Sequence, residues 1–235
     1  MPPSQKSQLS CYACSRPAIS KEHVPPKVFF PERKDLPTGA DYRRNLITVP
    51  ACAEHNLSKS KDDMYSAFVI SIHYENSAPA QRHFSTKVMR AIRKRPAMAS
   101  FLKNLFPAAV GGLPSAGFEV DRQRLDGTLE KIARALYYHH YGEVWEGQLA
   151  IHTPDLFMLG GSQAGEVNAR MQQIEAMTVQ KLGPHTVHGE NPQIFRYQHQ
   201  LDPQLPGFLV RMVFYEGFVA IAYSSPSISR GTDDA

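Results

Sequence analysis

Two short motifs near the beginning of the chain contain all three of its cysteines. Cys11 and Cys14 form a CxxC pair, and Cys52 forms a CxxH pair with His55. Three thiolates and one imidazole are a donor set that Zn²⁺ binds tetrahedrally in structural sites. A redox-active CxxC is the alternative interpretation, but it gives Cys52 no role. The spacing therefore predicts a structural zinc site made by these four residues.

Side chains suited to hydrolysis lie between and just after the two motifs. The carboxylate of Glu22 can bind a hard divalent cation, and a neutral imidazole at His23 can take a proton from water near pH 7. An amide oxygen on the following helix, that of Asn56, can complete the cation site. Residues 52 and 55 share a helix face, whereas residues 55 and 56 differ by about 100°. This geometry favours His55 as a zinc ligand. In the alternative assignment His55 binds the hard divalent cation, and zinc keeps three protein ligands.

The order of these motifs resembles that of the HNH endonucleases, a family of nucleases with a ββα-metal fold. The resemblance covers residues 11–61. The family pattern is CxxC, Asp/Glu-His, Asn-Leu, CxxC or CxxH, His/Asn and then Lys, and the matching residues are Cys11 and Cys14, Glu22 and His23, Asn45 and Leu46, Cys52 and His55, Asn56, and Lys59. The chain departs from the commoner pattern twice, since Asn56 stands where a His is common and His55 where a Cys is common.

The resemblance implies a role for each matching residue. His23 would be the general base that activates water, and Glu22 and Asn56 would hold a catalytic Mg²⁺ or Mn²⁺. Asn45 would brace the loop that carries His23 by bonding to its backbone. Strands of a hairpin would carry Glu22, His23 and the Asn45 region, and a helix would start near Cys52. The implied activity is that of an endonuclease, hydrolysing phosphodiester bonds of nucleic acid, with DNA favoured over RNA.

Positive charge is concentrated in the same part of the chain. Residues 1–61 carry a net charge of +5, whereas the whole chain carries +4. A basic segment attracts polyanions, nucleic acid first, although an ordinary solvated surface is the alternative for each single side chain. The candidates for contact with flanking phosphates are Lys27, Arg43, Arg44, Lys59 and Lys61.

The hydrophobic pattern predicts an α+β protein in three parts. Residues 1–75 would form the zinc-stapled ββα-metal module, residues 76–118 a basic helical connector, and residues 119–235 an α+β domain with an antiparallel sheet. In the connector, a helix over residues 81–106 should break or kink at Pro96, and residues 107–118 have the composition of a linker or a long turn.

The second half of the chain offers further elements but no catalytic motif. An apolar stripe of Leu125, Leu129, Ile132 and Leu136 predicts a helix that stops at Gly142. A second helix is expected over residues 166–182, and a hairpin is expected about Glu216-Gly217, with the segment IFRYQHQ as a neighbouring strand. His139 and His140 diverge on a helix and make a poor metal pair, and His152, His185, His188 and His199 have no evident partners in the sequence.

The location and context follow from what the sequence lacks. No run of about 18 apolar residues predicts a membrane span, the first twenty residues have no apolar stretch typical of a signal peptide, and three cysteines favour a reducing compartment, the cytoplasm. The C-terminal domain could bind a second copy or a partner protein. By family-level analogy, a bacterial anti-phage defence or mobile-element role is expected. The alternative function is a non-catalytic zinc finger that binds nucleic acid, and a ribonuclease is a third reading.

Overall fold

The computed structural model describes residues 9–57, 60–73, 75–110, 113–158, 161–202 and 207–224. Its strands are β1 (Ser20–Val24), β2 (Ile47–Ala51), β3 (Lys103–Val110), β4 (Leu113–Glu119), β5 (Leu149–His152), β6 (His188–Asn191), β7 (Phe195–Asp202), β8 (Gly207–Phe214) and β9 (Phe218–Ser224). Its α-helices are α1 (Ala53–Leu57), α2 (Ser60–Ser71), α3 (Ala78–His83), α4 (Met89–Lys94), α5 (Arg122–Tyr141) and α6 (Ala164–Leu182). The predicted α+β class is confirmed.

The first elements form a small antiparallel hairpin followed by a helix. Strands β1 and β2 pair so that Glu22 lies opposite Val49 and His23 opposite Thr48. Helix α1 begins directly after β2, at Ala53, as the sequence predicted for a helix starting near Cys52. Because side chains alternate along a strand, Ser20 and Glu22 lie on one face of β1, the more buried one, and His23 lies at an intervening position of the strand.

The later part is a sheet between two helices. The sheet is antiparallel, with strand order β5-β9-β8-β7-β6, and the predicted hairpin is the β8–β9 pair. Helix α5 covers one face, where Tyr137 packs edge-on against Phe208. Helix α6 covers the other face, where Glu175 pairs with Arg211 at 2.8 Å. The predicted stripe of α5 is buried, and Gly142 ends the helix with a φ of 74°, so both expectations are confirmed.

The segment between these two parts differs from the prediction. The expected helix over residues 81–106 ends at Lys94, just before the predicted break at Pro96, after a π-helical turn at Phe84–Val88. Residues 107–118, expected to be a linker, instead belong to the β3–β4 hairpin. Pro107 and Pro114 argued against strands here, because proline is rare inside a sheet. Both strands of a two-stranded sheet are edge strands, where proline is tolerated.

One hydrophobic core runs through all three predicted parts. It contains Phe29 and Val49 from the first part, Val88 from the second, and Leu129 and Phe214 from the third. The division into three domains stays a prediction. Among the described residues, no helix combines the length and the apolarity that crossing a membrane requires.

Side chains from three distant positions hold the segment that follows β1. The Nζ of Lys87 donates to the carbonyl of Val28 at 3.2 Å and lies near those of Lys27 and Phe30. The guanidinium of Arg43 donates to the carbonyl of Phe30 at 2.9 Å, and the Tyr215 hydroxyl donates to that of Phe29. Burial lowers the pKa of Lys87 to about 8. These bonds fix the chain immediately after His23.

The same region makes the stability depend on pH through His83, which is fully buried and stacks on Tyr215. Burial, followed by the charge of Lys87, lowers the pKa of His83 to about 3. The unfolded chain, with a pKa near 6.5, then binds more protons below pH 6.5, so the stability falls as the pH falls. Between pH 8 and pH 5 we expect His83 to remove about 2 kcal/mol.

The variant His83→Phe keeps the stacked ring and removes the titration. Its free energy of unfolding, measured by urea denaturation at pH 8, 6.5 and 5, should fall less steeply with decreasing pH than that of the parent. Equal slopes for the two proteins would show that the buried imidazole does not carry this dependence.

Candidate metal centre and carboxylate pocket

The CxxC motif folds into a closed knuckle that docks on β2. The backbone N–H of Cys11 donates to the carbonyl of Arg16 at 2.9 Å, and the N–H of Ala13 points at the sulfur of Cys11 at 3.5 Å. The N–H of Tyr12 donates to the carbonyl of Pro50 at 2.9 Å. This docking brings the knuckle to the beginning of α1, where Cys52 and His55 lie one helical turn apart.

The four predicted zinc ligands converge. The Nδ1 atom of His55 lies 3.4 Å from the sulfur of Cys11, 3.5 Å from that of Cys14 and 3.2 Å from that of Cys52, and the Cys14 and Cys52 sulfurs are 3.9 Å apart. A tetrahedral Zn²⁺ with Zn–S of about 2.3 Å and Zn–N of about 2.05 Å separates its ligands by about 3.8 Å (S–S) and about 3.5 Å (S–N). The donor set and its spacing therefore fit a metal such as zinc.

Arg16 stabilises negative charge at this cluster. Its Nε donates to the sulfur of Cys14 at 3.5 Å, and its guanidinium pairs with Glu54 of α1. Burial opposes ionisation of Cys14, but the hydrogen bond from Arg16 outweighs it and lowers the pKa of this thiol. Burial raises the pKa of Cys11, the most enclosed of the three. A bound cation would offset that penalty, since thiolates are the form that ligates metal.

Glu22 and His23 line a separate small pocket. The pocket has a cavity of about 10 Å³, which is room for one ion or one water molecule. Glu22 is 9% exposed, and burial, followed by the charge of Lys27, lowers the pKa of His23. A neutral imidazole near pH 7 is the form that can accept a proton. Helix α5 closes the pocket with Thr128 and Lys131.

Asp63 of α2, a residue that the motifs in the sequence did not single out, lines the same pocket. Its neighbour Asp62 points elsewhere and binds the Nε of Arg124 at 2.7 Å. Successive residues on a helix diverge by about 100°, so one carboxylate joins α2 to α5 while the next turns toward Glu22 and His23. The sequence signal was the Asp pair in the first turn of the helix that follows the CxxH motif.

A single tyrosine lies between the cluster and the pocket. The ring of Tyr12 meets that of His55 edge-on, with centroids 6.1 Å apart, and Tyr12 also lines the pocket beside Glu22 and Asp63. Burial, followed by the negative charges of Glu22 and Cys11, raises its pKa. The soft-donor cluster and the carboxylate pocket are therefore immediate neighbours.

Asn56 lies against the hairpin, next to the pocket. Its amide nitrogen donates to the Ser20 hydroxyl at 2.6 Å and lies 3.5 Å from the carbonyl of Lys21. Ser20 and Glu22 are successive side chains on one face of β1. Asn56 therefore contacts that face next to Glu22. The structure thus brings Asn56 to the hairpin, while Asp63 rather than Asn56 lines the pocket.

Asn45 precedes β2 in a left-handed conformation, with a φ of 52°. In the described part of the chain its side chain has no hydrogen-bond partner, so the bracing bond expected from the resemblance is not made here. It lines a different cleft, shared with β6 and the end of α5. The bonds from Lys87, Arg43 and Tyr215 described above brace the segment after His23 instead.

The basic side chains predicted to contact phosphates differ in how far the fold already uses them. Arg43 is hydrogen-bonded to backbone carbonyls, whereas Arg44 is exposed and lies 3.6 Å from Asp41. Lys27 and Lys61 are exposed, and Lys59 lies outside the described residues. In the basic run of α4, Arg90 is bound to Asp35 at 2.7 Å and to Glu32 at 3.1 Å, whereas Arg93, Lys94 and Arg95 are exposed.

Comparison of the chain with protein-family models, with curated proteins and with solved structures found no match.

Proposed function

We propose that the protein is a metal-dependent endonuclease that hydrolyses phosphodiester bonds of DNA. The observation that carries the proposal is the pocket of one-ion size where Glu22, His23 and Asp63 meet, separated by Tyr12 from a cysteine–histidine cluster suited to zinc. A binding finger needs the zinc cluster but has no use for a buried carboxylate beside an imidazole. The motif order that resembles HNH endonucleases supports the same proposal.

The donors of the pocket fit a hard cation, since Glu22 and Asp63 offer carboxylate oxygens. These two residues would hold Mg²⁺ or Mn²⁺, with Asn56 adjacent through Ser20. When bound, the cation would stabilise the negative charge that develops on the phosphate and on the leaving oxygen. The zinc cluster would serve the fold, by joining the knuckle to α1.

The chain's own side chains supply the remaining steps. His23, neutral at pH 7 because of its burial and Lys27, accepts a proton from the attacking water. Lys27 carries a positive charge that acts on His23, and Lys131 lines the pocket, so two cations would attract a phosphate to this region. Arg44 and Lys61 are exposed and available to flanking phosphates, which adds affinity without sequence preference.

A matched pair of substitutions tests the new member of the pocket. We expect Asp63→Asn to reduce cleavage of plasmid DNA in Mg²⁺ at least about 100-fold, because it removes a charged oxygen ligand, and Glu22→Gln to do the same. Asp62→Asn, the control, changes a carboxylate that faces Arg124 and should keep cleavage within a few-fold of the parent.

Rates are measured with supercoiled plasmid, and Mn²⁺ binding by calorimetry, on proteins with equal zinc content. If Asp63→Asn binds Mn²⁺ and cuts as well as Asp62→Asn, Asp63 does not belong to the cation site.

The non-catalytic zinc finger is the second candidate function, favoured by the hydrogen bond between Asn56 and Ser20. It would be supported by DNA binding without cleavage in either metal, and cleavage restricted to RNA would support the ribonuclease reading.

A further inference from the structure

Three histidines that are far apart in the sequence meet at one end of the C-terminal sheet. His140 comes from the last turn of α5, His188 from the start of β6 and His199 from β7. Their ring centroids are 3.9 Å (His140–His199), 4.8 Å (His140–His188) and 5.2 Å (His188–His199) apart. One ring nitrogen of each lies within 4.8 Å of one nitrogen of the others. No partner for these residues is evident in the sequence, and it is the fold that brings them together.

The pairing of β6 with β7 and the position of α5 bring the three rings together. His188 pairs with Tyr197 across β6 and β7, and His199 follows Tyr197 by two positions, so both imidazoles face the same side of the sheet. Helix α5 crosses that side and brings His140 above them. The exposed neighbour His139 lines the adjoining cleft, but it does not belong to the group of three converging nitrogens.

Tyrosines orient two of the rings. A ring nitrogen of His140, Nε2, lies 2.9 Å from the Tyr197 hydroxyl, and Nδ1 of His199 lies 3.0 Å from the Tyr141 hydroxyl. Each bond occupies one nitrogen and leaves the other for a ligand. Histidines that bind metals usually have their second nitrogen hydrogen-bonded in this way, which fixes the ring orientation.

The donor chemistry of the group selects the kind of metal. Three converging imidazoles suit Zn²⁺, Ni²⁺, Co²⁺ or Cu²⁺, whereas Mg²⁺ and Ca²⁺ prefer oxygen ligands.

An open cleft adjoins two of the three rings, those of His140 and His188. It has a cavity volume of about 150 Å³ and is also lined by Asn45, Glu190 and Asn191. Three protein nitrogens leave a fourth tetrahedral position for water or for a group that enters the cleft, the arrangement of an accessible rather than a closed zinc site. Small ring rotations would bring the nitrogens to the separation of about 3.3 Å that Zn–N bonds of about 2.05 Å require.

We propose that His140, His188 and His199 form a second transition-metal site, selective for Zn²⁺ and similar borderline cations, with its open position facing this cleft. The site is independent of the proposed nuclease pocket, because it uses none of the same residues. It also differs in chemistry from the cysteine-containing cluster, which has three sulfur donors, and this difference allows the two to be measured separately.

The test uses untagged, full-length protein and Co²⁺ and Zn²⁺ as probes. The parent should bind two equivalents of Zn²⁺ after dialysis, measured by elemental analysis. Co²⁺ should give two spectral components, one with a thiolate-to-cobalt charge-transfer band and one without it. His188→Ala and His199→Ala should each bind one equivalent, lose only the component without the thiolate band, and bind the second metal at least about 100-fold more weakly.

His139→Ala is the matched control and should keep two equivalents, since this exposed imidazole is not a member of the group. Circular dichroism and melting of the metal-free proteins identify a variant that has merely unfolded; because His188 lies on an edge strand, His188→Ala should fold even if His199→Ala does not. Binding of one equivalent by the parent, or of two by a folded His188→Ala protein, would overturn the proposal.

Discussion

The His23→Ala protein should lose nearly all DNA cleavage while keeping its zinc and its fold. His23 lines the one-ion pocket with Glu22, and in the proposed mechanism its imidazole is the base that accepts a proton from water. Removal of a general base slows hydrolysis by about 10²–10⁴-fold. Supercoiled plasmid with Mg²⁺ or Mn²⁺, sampled over time on a gel, measures this loss directly.

His139→Ala is the control for this experiment, because it removes an exposed imidazole from α5, outside the pocket. It should cut at the rate of the parent. Equal cleavage by His23→Ala and the parent would remove His23 from the mechanism. Cleavage by neither, with DNA binding by both, would favour the binding finger.

The Cys52→Ser protein should lose its zinc and much of its stability. Cys52 is buried, and its sulfur lies 3.2 Å from Nδ1 of His55 and 3.9 Å from the sulfur of Cys14. Because metal binding is coupled to folding, we expect a loss of about 5 kcal/mol or more. For a chain of this size that corresponds to a decrease of about 10–20 °C in Tm.

Elemental analysis and thermal melting, each with and without a chelator, measure these two effects. Glu54→Gln is the control, since Glu54 lies on the same helix but is exposed and is not one of the four converging side chains. It should keep the zinc and lose little stability. A Cys52→Ser protein that melts like the parent, or a parent that a chelator does not destabilise, would contradict a structural metal at this cluster.

The cysteine–histidine cluster could be predicted because its signals are local. A CxxC or CxxH pair lies within one turn of chain, and its spacing alone places two donors together. The hairpin that carries Glu22 and the start of α1 near Cys52 were implied by the resemblance in motif order. The sequence also predicted the stripe and the end of α5, since a helical period and a C-terminal glycine act over short distances.

The remaining site residues depend on contacts that a single sequence does not encode locally. Asp63 reaches the pocket through the packing of α2 against α5, a contact between elements that lie far apart in the chain. The histidine group joins His140 to two strands more than forty residues away. The β3–β4 hairpin was missed for a different reason, because its prolines and glycines are typical of linkers as well as of edge strands.

The most direct test of two neighbouring metal sites is a crystal of the protein soaked in Mn²⁺, with anomalous diffraction recorded at the zinc and manganese edges. We expect a zinc peak among Cys11, Cys14, Cys52 and His55, and a separate manganese peak in the pocket bounded by Glu22, His23 and Asp63. A zinc peak at the cluster with no manganese in that pocket would contradict the nuclease proposal.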